Sequence, residues 1–153
     1  MNKPSVVAAL LAEFHHELAT LERVTQMAVD EATNAESRPE NKYDTRSLES
    51  SYLAAGQGER VLSLRRLVSF FETIDPTYVS DRLGIGSLAC LEENSSCSWF
   101  FLAPDGGGRK VVVDGETIAV ITPTSPIGAL LLGAQVGDTI THRNRNYDIA
   151  QLL

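Results

Sequence analysis

The first 74 residues carry two long runs in which the same helical spacing recurs. In the first run the repeated positions are separated alternately by four and three residues: Val7, Leu11, Phe14, Leu18, Leu21, Thr25, Ala28 and Ala32. The second run has the same alternation, at Ser47, Ser50, Ala54, Gln57, Val61, Leu64, Val68 and Phe71. Such a heptad repeat is typical of a coiled coil. We therefore predict two long helices, the first capped by Ser5 and the second over about 45–73.

The side chains of the two runs change in size in opposite directions. The first run begins with large residues and ends with Thr and Ala, whereas the second begins small and polar and ends with Val68 and Phe71. An antiparallel hairpin would place large beside large and small beside small. Each helix of roughly 30 residues would be about 45 Å long, so the hairpin should project from a more compact part. The short connection favours a hairpin within one chain, and hence a monomer, although the same repeat could also pair two chains.

The pattern changes after Asp75 and Pro76, where short β-branched and aromatic runs alternate with turn residues. Predicted strands cover 88–91, 98–102, 110–113, 117–122, 136–141 and 147–152. Ser125 and Pro126 begin a short helix that should run through Leu132, with Gly133 just past its end. The predicted fold class is α+β, with a small, mostly antiparallel sheet and one short helix. We expect a coiled-coil domain over 1–74, with its tip at about 34–45, and a second domain over 75–153.

Composition narrows the classes of function. The chain has 153 residues, 43% of them hydrophobic, and 13 Lys and Arg against 20 Asp and Glu, for a net charge of −7. This balance argues against direct binding of DNA or RNA and favours a partner that is basic or carries a metal ion. The longest apolar runs, Val6–Leu11 and Ile127–Leu132, are too short to span a membrane. With no signal-peptide pattern at the start, we expect a cytoplasmic protein whose two cysteines, Cys90 and Cys97, are reduced thiols in the sheet.

Candidate chemistry is concentrated in the predicted tip of the hairpin. Three carboxylates lie there, at Glu36, Glu40 and Asp44, interleaved with basic side chains. From spacing alone, the tip is a solvated loop whose charges neutralise one another, and it would not hold a metal ion stably by itself. His15 and His16 are adjacent and face apart on a helix, so we do not expect this pair to bind a metal ion. No spacing of Ser, His, Asp or Cys indicates a catalytic centre, so we expect no enzyme activity of the chain's own.

Two stretches resemble one known family. Glu36–Leu53 reads ESRPENKYDTRSLESSYL, and Ile121–Asp138 reads ITPTSPIGALLLGAQVGD. Together with the layout of the chain, they are similar to the bacterial GreA/GreB transcription elongation (transcript cleavage) factors, and the second stretch is the more specific. The resemblance implies a long antiparallel coiled coil joined to a small FKBP-like domain. It covers nearly the whole chain in layout, but only these two stretches in residues.

The same resemblance implies a partner and a mode of action. The partner is RNA polymerase, and the resemblance assigns polymerase binding to Thr124, Ser125, Pro126 and Ile127. The coiled coil would enter the polymerase secondary channel and bring Glu36, Glu40 and Asp44 to the active centre. There these carboxylates would act in trans, sharing Mg²⁺ with the polymerase, which cleaves the backtracked RNA itself. The chain would have no cofactor of its own.

The tip departs from the family pattern of Asp, two residues, then Glu-Asn. Aligning Glu40 and Asn41 with Glu-Asn places Ser37 at the Asp position. Aligning Tyr43 with the tyrosine that follows in the family places Glu36 at the Asp position, but Pro39 at the Glu. Three hypotheses therefore stay open: a cleavage-stimulating factor, a paralogue that binds polymerase and regulates or competes without cleavage, and an FKBP-like peptide-binding or scaffold module.

Overall fold

The structure, a computed structural model, describes the backbone of residues 1–33 and 46–153 and the side chains of 1–30 and 56–153. Two long helices come first, α1 (Lys3–Thr33) and α2 (Arg46–Thr73). The remaining elements are β1 (Leu88–Glu93), β2 (Ser96–Leu102), β3 (Lys110–Val113), β4 (Glu116–Ile121), α3 (Pro126–Leu131), β5 (Thr139–His142) and β6 (Arg145–Leu152). The predicted α+β class, with two long helices followed by a small sheet and one short helix, is confirmed.

The described chain divides into two compact units. One consists of Glu13–Ser69, and the other combines Met1–Ala12 with Phe70–Leu153. The domain limits predicted at 1–74 and 75–153 stay a prediction, because packing density alone does not decide which segments fold or act independently.

The unit formed by Glu13–Ser69 contains paired segments of α1 and α2. The Glu22 carboxylate accepts hydrogen bonds from Arg65 Nε at 2.9 Å and Nη2 at 2.6 Å, across the two helices. The described heptad positions that are buried here are Phe14, Ala28, Val61, Leu64 and Val68. Leu67, which the repeat leaves out, is also buried, since it lies beside Leu64 and Val68 on a wider apolar stripe.

The other unit is built on a six-stranded sheet of order β3-β4-β2-β1-β6-β5. Its neighbouring strands are antiparallel except β2 and β4, which run parallel. The predicted sheet, mostly antiparallel, is thus confirmed, with one parallel pair. The reason is topological: the β3–β4 hairpin joins the sheet with β4 on the inside, so the chain returns in the direction of β2.

The two central strands, β1 and β2, are buried on both faces. One face contributes Ala89, Leu91 and Leu102 to a core completed by Leu83, Ile121, Leu131, Ile140 and Ile149. The alternate positions Leu88, Cys90, Trp99 and Phe101 are buried on the opposite face. There the ring of Phe71, from the end of α2, lies 5.3 Å from that of Phe101, measured between centroids. Burial on both faces explains why these strands read as continuous apolar runs.

The boundaries of some elements differ from the prediction. The first helix is capped by Asn2, whose Oδ1 accepts a hydrogen bond from the Ser5 backbone N–H at 3.3 Å, so Ser5 is not the cap. Two-residue turns with positive φ at Asn94–Ser95 and Arg143–Asn144 are tighter than predicted, which lengthens the strands that flank them. The fifth strand begins at Thr139 rather than 136, because Gly137 has a φ of 90° that ends extended backbone.

The two cysteines also differ from the prediction. Cys90 and Cys97 form a disulfide, with their Cα atoms 5.9 Å apart, rather than remaining two reduced thiols. In the β1–β2 register Cys90 lies opposite Trp99 and Cys97 opposite Glu92. The two cysteines are thus diagonal neighbours on one face of the hairpin, which spacing along the sequence did not reveal.

Candidate functional site

The predicted tip carboxylates, Glu36, Glu40 and Asp44, lie outside the described residues, as does the whole tip at 34–45. Their role stays a prediction. The part of the site that can be built from the structure is the segment from Thr122 to Gly133, which contains the four residues assigned to polymerase binding.

Ser125 holds this segment together. It is the N-cap of α3, and its hydroxyl accepts a hydrogen bond from the Gly128 backbone N–H at 3.1 Å. The same hydroxyl donates to the Thr122 carbonyl at 2.7 Å, and the Ser125 N–H donates to that carbonyl at 2.9 Å. A serine cap of this kind supplies a partner for an N–H that the first helical turn leaves unpaired. Ser125 therefore shapes the segment, with its side chain turned inward to the backbone.

Gly128 allows the segment to fold back this tightly. It is buried, and a Cβ atom at this position would overlap the Thr122 carbonyl oxygen and crowd the Ser125 hydroxyl. Pro126, at the first position of α3, needs no hydrogen-bond partner for its nitrogen and has the φ that a helix requires. The Ser-Pro-Ile-Gly sequence thus allows Thr122–Gly133 to form a compact, internally hydrogen-bonded corner.

The four predicted binding residues differ in what they present to solvent. Thr124 and Pro126 are exposed, whereas Ser125 is half-buried in its capping role and Ile127 is half-buried against the sheet core. The Thr124 hydroxyl lies 3.1 Å from that of Thr122, so the exposed side chain is held in one orientation. The structure therefore brings all four residues together, and it leaves Thr124 and Pro126 as the two that a partner would meet first.

Three apolar side chains in or shortly after α3, which the sequence analysis did not single out, are exposed. Leu130, Leu132 and Val136 are 45%, 52% and 54% exposed. This exposure could have been predicted from the sequence. Residues 126–132 are apolar at almost every position, whereas a six-residue helix packed on a sheet can bury only one of its faces.

The end of α3 is tied to the segment that precedes β1. The Gly133 N–H donates to the Leu83 carbonyl, and the Leu83 N–H donates to the Ala134 carbonyl, both at 2.7 Å. Arg82 Nη1 donates to the Gly133 carbonyl at 2.9 Å. These bonds anchor the chain just past the C-terminal end of α3 to the segment before β1, which supports the exposed residues at that end of the helix.

Two charged groups, one near the N-terminus and one at the start of the linker between α2 and β1, have pKa values that their surroundings shift. The Lys3 side chain is 6% exposed and its ammonium donates to the Tyr78 carbonyl at 2.6 Å. Burial lowers the pKa of Lys3, and the negative charge of Asp75 partly offsets this. The pKa of Asp75 is lowered by hydrogen bonds from the Thr77 hydroxyl, at 2.7 Å, and the Thr77 N–H, at 2.8 Å.

Two further observations concern only the described residues. No three His, Cys, Asp or Glu side chains among them come together in a way that could hold a metal ion. No helix in the described ranges is long and apolar enough to cross a membrane. The carboxylates expected to share Mg²⁺ are not among these residues, so the metal hypothesis stays open.

Several solved structures are similar to the chain at low sequence identity. The chain is similar to the GreA factor homolog 1 (Gfh1) protein of Thermus thermophilus, at 20% identity over 94% of each chain with a TM-score of 0.37. It is also similar to Gfh1 of Thermus aquaticus, at 18% identity over 92% of each chain with a TM-score of 0.35. The prokaryotic transcription elongation factor GreA/GreB from Nitrosomonas europaea matches at 16% identity over 69% of this chain and 91% of that chain, with a TM-score of 0.36.

No protein-family model matches the chain, and no curated protein sequence is significantly similar to it. The solved structures that resemble the chain include Gre factors, at low sequence identity and with low TM-scores.

Proposed function

We propose that the chain is a Gre-like transcription factor that binds RNA polymerase and extends its helical hairpin into the secondary channel. The observation that carries this proposal is the Thr122–Gly133 corner. It has the Ser-Pro sequence of the family's docking stretch, it is internally hydrogen-bonded, and it exposes Thr124 and Pro126 beside apolar side chains. The acidic charge of −7 suits a partner that carries basic surface and metal ions, rather than free nucleic acid.

The hairpin supplies the reach that this role needs. A helix of 31 residues such as α1 is about 46 Å long. Near the middle of the hairpin Arg65 donates two hydrogen bonds to one carboxylate oxygen of Glu22, which joins the two helices at their surface. Helices of this length could carry the tip carboxylates to a distant active centre.

At that centre the tip carboxylates would act on the polymerase's own reaction. Glu40, with Glu36 or Asp44, offers carboxylate oxygens of the kind that Mg²⁺ prefers. Mg²⁺ there would assist attack of water on the RNA phosphodiester, and the polymerase would supply the remaining ligands. The chain's own part would be to deliver and orient the carboxylates.

A second function is favoured by the sequence of the tip. Neither alignment of the tip with the family pattern retains both carboxylates, since Ser37 or Pro39 replaces one of them. A chain that docks like a Gre factor but lacks the intact pair would occupy the channel without stimulating cleavage, and would compete with a factor that does.

One experiment separates these functions: RNA cleavage in a stalled, backtracked elongation complex, with the protein titrated alone and beside a limiting amount of an authentic Gre factor. Shortening of the transcript by the protein alone supports a cleavage factor. Suppression of the authentic factor without cleavage supports the competitor. Neither effect at high concentration, together with no retention on immobilised core polymerase, overturns the proposal and leaves a peptide-binding or scaffold module.

Variants test which residues are responsible for each activity. If the protein cleaves, Glu40→Gln should reduce cleavage at least tenfold while binding is unchanged, and Glu116→Gln, which alters an exposed carboxylate on β4, should leave both unchanged.

A second pair of variants tests docking. Thr124→Lys should weaken retention of the protein on immobilised polymerase, because it places a long charged side chain at an exposed position of the proposed docking segment. Thr117→Lys, at an exposed position of β4, should leave retention unchanged. Equal effects of each variant and its control would argue against the assigned residues.

A further inference from the structure

The β1–β2 hairpin contains a pair of cysteines whose positions the proposed function does not use. Cys90 and Cys97 lie on adjacent strands, joined by the turn at Asn94–Ser95, and their side chains share one face of the sheet. Their Cα atoms are 5.9 Å apart, which is within the range that a disulfide spans without movement of the backbone. The structure accordingly joins them as a disulfide.

The two sulfurs differ in their surroundings. Cys90 is 3% exposed, between the central strands and the side chains that cover this face, whereas Cys97 is exposed on the outer part of β2. Thiol–disulfide exchange needs an attacking thiolate to reach a sulfur in line, so small molecules can approach Cys97 and not Cys90. Redox-sensing cysteines are solvent-accessible and often lie next to a second, resolving cysteine, as Cys97 lies next to Cys90.

We propose that Cys90 and Cys97 form a reversible thiol–disulfide pair, with Cys97 as the thiol that exchanges with small-molecule thiols and Cys90 as the buried resolving thiol. This inference does not depend on the proposed function. It assigns to the hairpin a response to the redox state of its surroundings, because thiols in solution can open and close the bond through the accessible Cys97 sulfur.

The chemistry balances with glutathione disulfide as oxidant. The Cys97 thiolate attacks one sulfur of glutathione disulfide, which forms a Cys97–glutathione disulfide and releases one glutathione thiolate. The Cys90 thiolate then attacks the Cys97 sulfur, closes the Cys90–Cys97 bond and releases the second glutathione. The protein has lost two protons and two electrons, and glutathione disulfide has become two glutathione molecules. An excess of glutathione drives the same steps in reverse.

Oxidation would close a covalent ring around the hairpin turn. The ring includes Asn94 and Ser95, both at positive φ, and Glu93, which pairs with Arg145 of β6 at 3.5 Å. Closing a loop restricts the unfolded chain and keeps the strand ends together. The reduced protein should therefore melt roughly 5 °C lower than the oxidised protein and exchange amide hydrogens faster at 92–98.

The test equilibrates the full chain in buffers that range from reduced glutathione to glutathione disulfide, quenches with acid, alkylates under denaturing conditions so that the buried Cys90 also reacts, and counts alkyl groups by mass spectrometry. We expect two alkyl groups at the reducing end, none at the oxidising end, and a midpoint between them. Alkylation of both cysteines in every buffer would overturn the proposal, as would a disulfide that excess glutathione never opens.

Two variants assign the roles of the sulfurs. Cys90→Ala should retain one glutathione on Cys97, because no resolving thiol remains. Cys97→Ser should take up glutathione at least tenfold more slowly than Cys90→Ala does, because its remaining thiol is buried. Equal rates in the two variants would contradict the assignment. If Cys90→Ala does not fold, peptide mapping of the wild-type protein during oxidation gives the same answer, since the transient adduct must appear on Cys97 and not on Cys90.

Discussion

At the scale of single residues, Gly128 is the position where one added methyl group should cost most. A Cβ there would overlap the Thr122 carbonyl oxygen and lie within 2.7 Å of the Ser125 hydroxyl, both parts of the capped corner. Gly128→Ala should therefore lower the free energy of unfolding by about 2–3 kcal/mol, measured by urea denaturation. The matched control is Gly84→Ala in the same unit, where a Cβ meets nothing within 4 Å. Equal losses in the two variants would contradict the close approach.

Asp75 gives a prediction about acid stability. Its pKa is lowered mainly by the Thr77 hydroxyl, so the ionised form is favoured in the folded state relative to the unfolded state. The stability that this contributes is present above the unfolded pKa of 3.8 and is lost as the pH falls through the lower folded pKa. Asp75→Asn should remove this contribution.

The measurement is the melting temperature of wild type and Asp75→Asn at neutral pH and below pH 3.8. The variant should be less stable at neutral pH, and the difference should shrink in acid. Asp81→Asn, at an exposed position in the same linker, is the control and should show little difference at either pH. A deficit of Asp75→Asn that persists unchanged in acid would show that the carboxylate charge is not its cause.

Ser125 illustrates how far sequence reasoning reached at this scale. The Ser-Pro pair correctly predicted the start of α3, because capping and proline preferences are local. The direction of each neighbouring side chain could not be predicted, since it depends on what the corner packs against. Only the structure separates exposed Thr124 and Pro126 from the internally bonded Ser125 and the core-facing Ile127.

At the scale of elements, α2 contains two glycines that its helix does not require. Gly58 lies in the helix interior, and a Cβ added there meets nothing within 4 Å. Because glycine costs a helix about 1 kcal/mol relative to alanine, Gly58→Ala should raise the free energy of unfolding by up to that amount.

Thermal and urea denaturation would check this prediction, with Gly137→Ala as the contrasting variant. Gly137 has a φ of 90°, in the left-handed region, so alanine there should destabilise the protein by about 1–2 kcal/mol. If Gly58→Ala also destabilised the chain, the glycine would have to be required for a bend or contact of α2 that the described residues do not show.

The strands show why elements were more predictable than their pairing. Alternating and β-branched runs located all six strands to within a few residues, because a strand's side-chain period and its turn residues are written in adjacent positions. The parallel pairing of β2 with β4 was missed, since a hairpin can join a sheet through either of its strands and local sequence does not choose between them.

At the scale of the whole molecule, Phe71 links the end of α2 to the sheet. Its ring is 2% exposed and contacts that of Phe101, although the heptad pattern had placed it in the coiled coil. Phe71→Ala should therefore destabilise the unit that contains the sheet by about 3–5 kcal/mol. Near-ultraviolet circular dichroism is a suitable readout, because the chain's single tryptophan, Trp99, is on the same strand as Phe101.

The control for Phe71→Ala is Leu62→Ala, which removes an apolar side chain of α2 that is 48% exposed. It should lower the free energy of unfolding by less than about 1 kcal/mol. If Phe71→Ala left the near-ultraviolet circular dichroism and the stability of the sheet unchanged, the proposed packing of Phe71 against the sheet would be contradicted.

The sequence by itself determined the order and type of the elements, the heptad repeat of the long helices, the capped start of α3 and the acidic charge. These properties depend on the periodicity, propensity and capping of residues close together in the chain. Only the tertiary structure decided which strands are neighbours, that Cys90 meets Cys97, that Phe71 covers the sheet and which residues of the Thr122–Gly133 corner face solvent. Each of these depends on contacts between segments distant in sequence, or on which face of an element is covered, and a local pattern does not encode either.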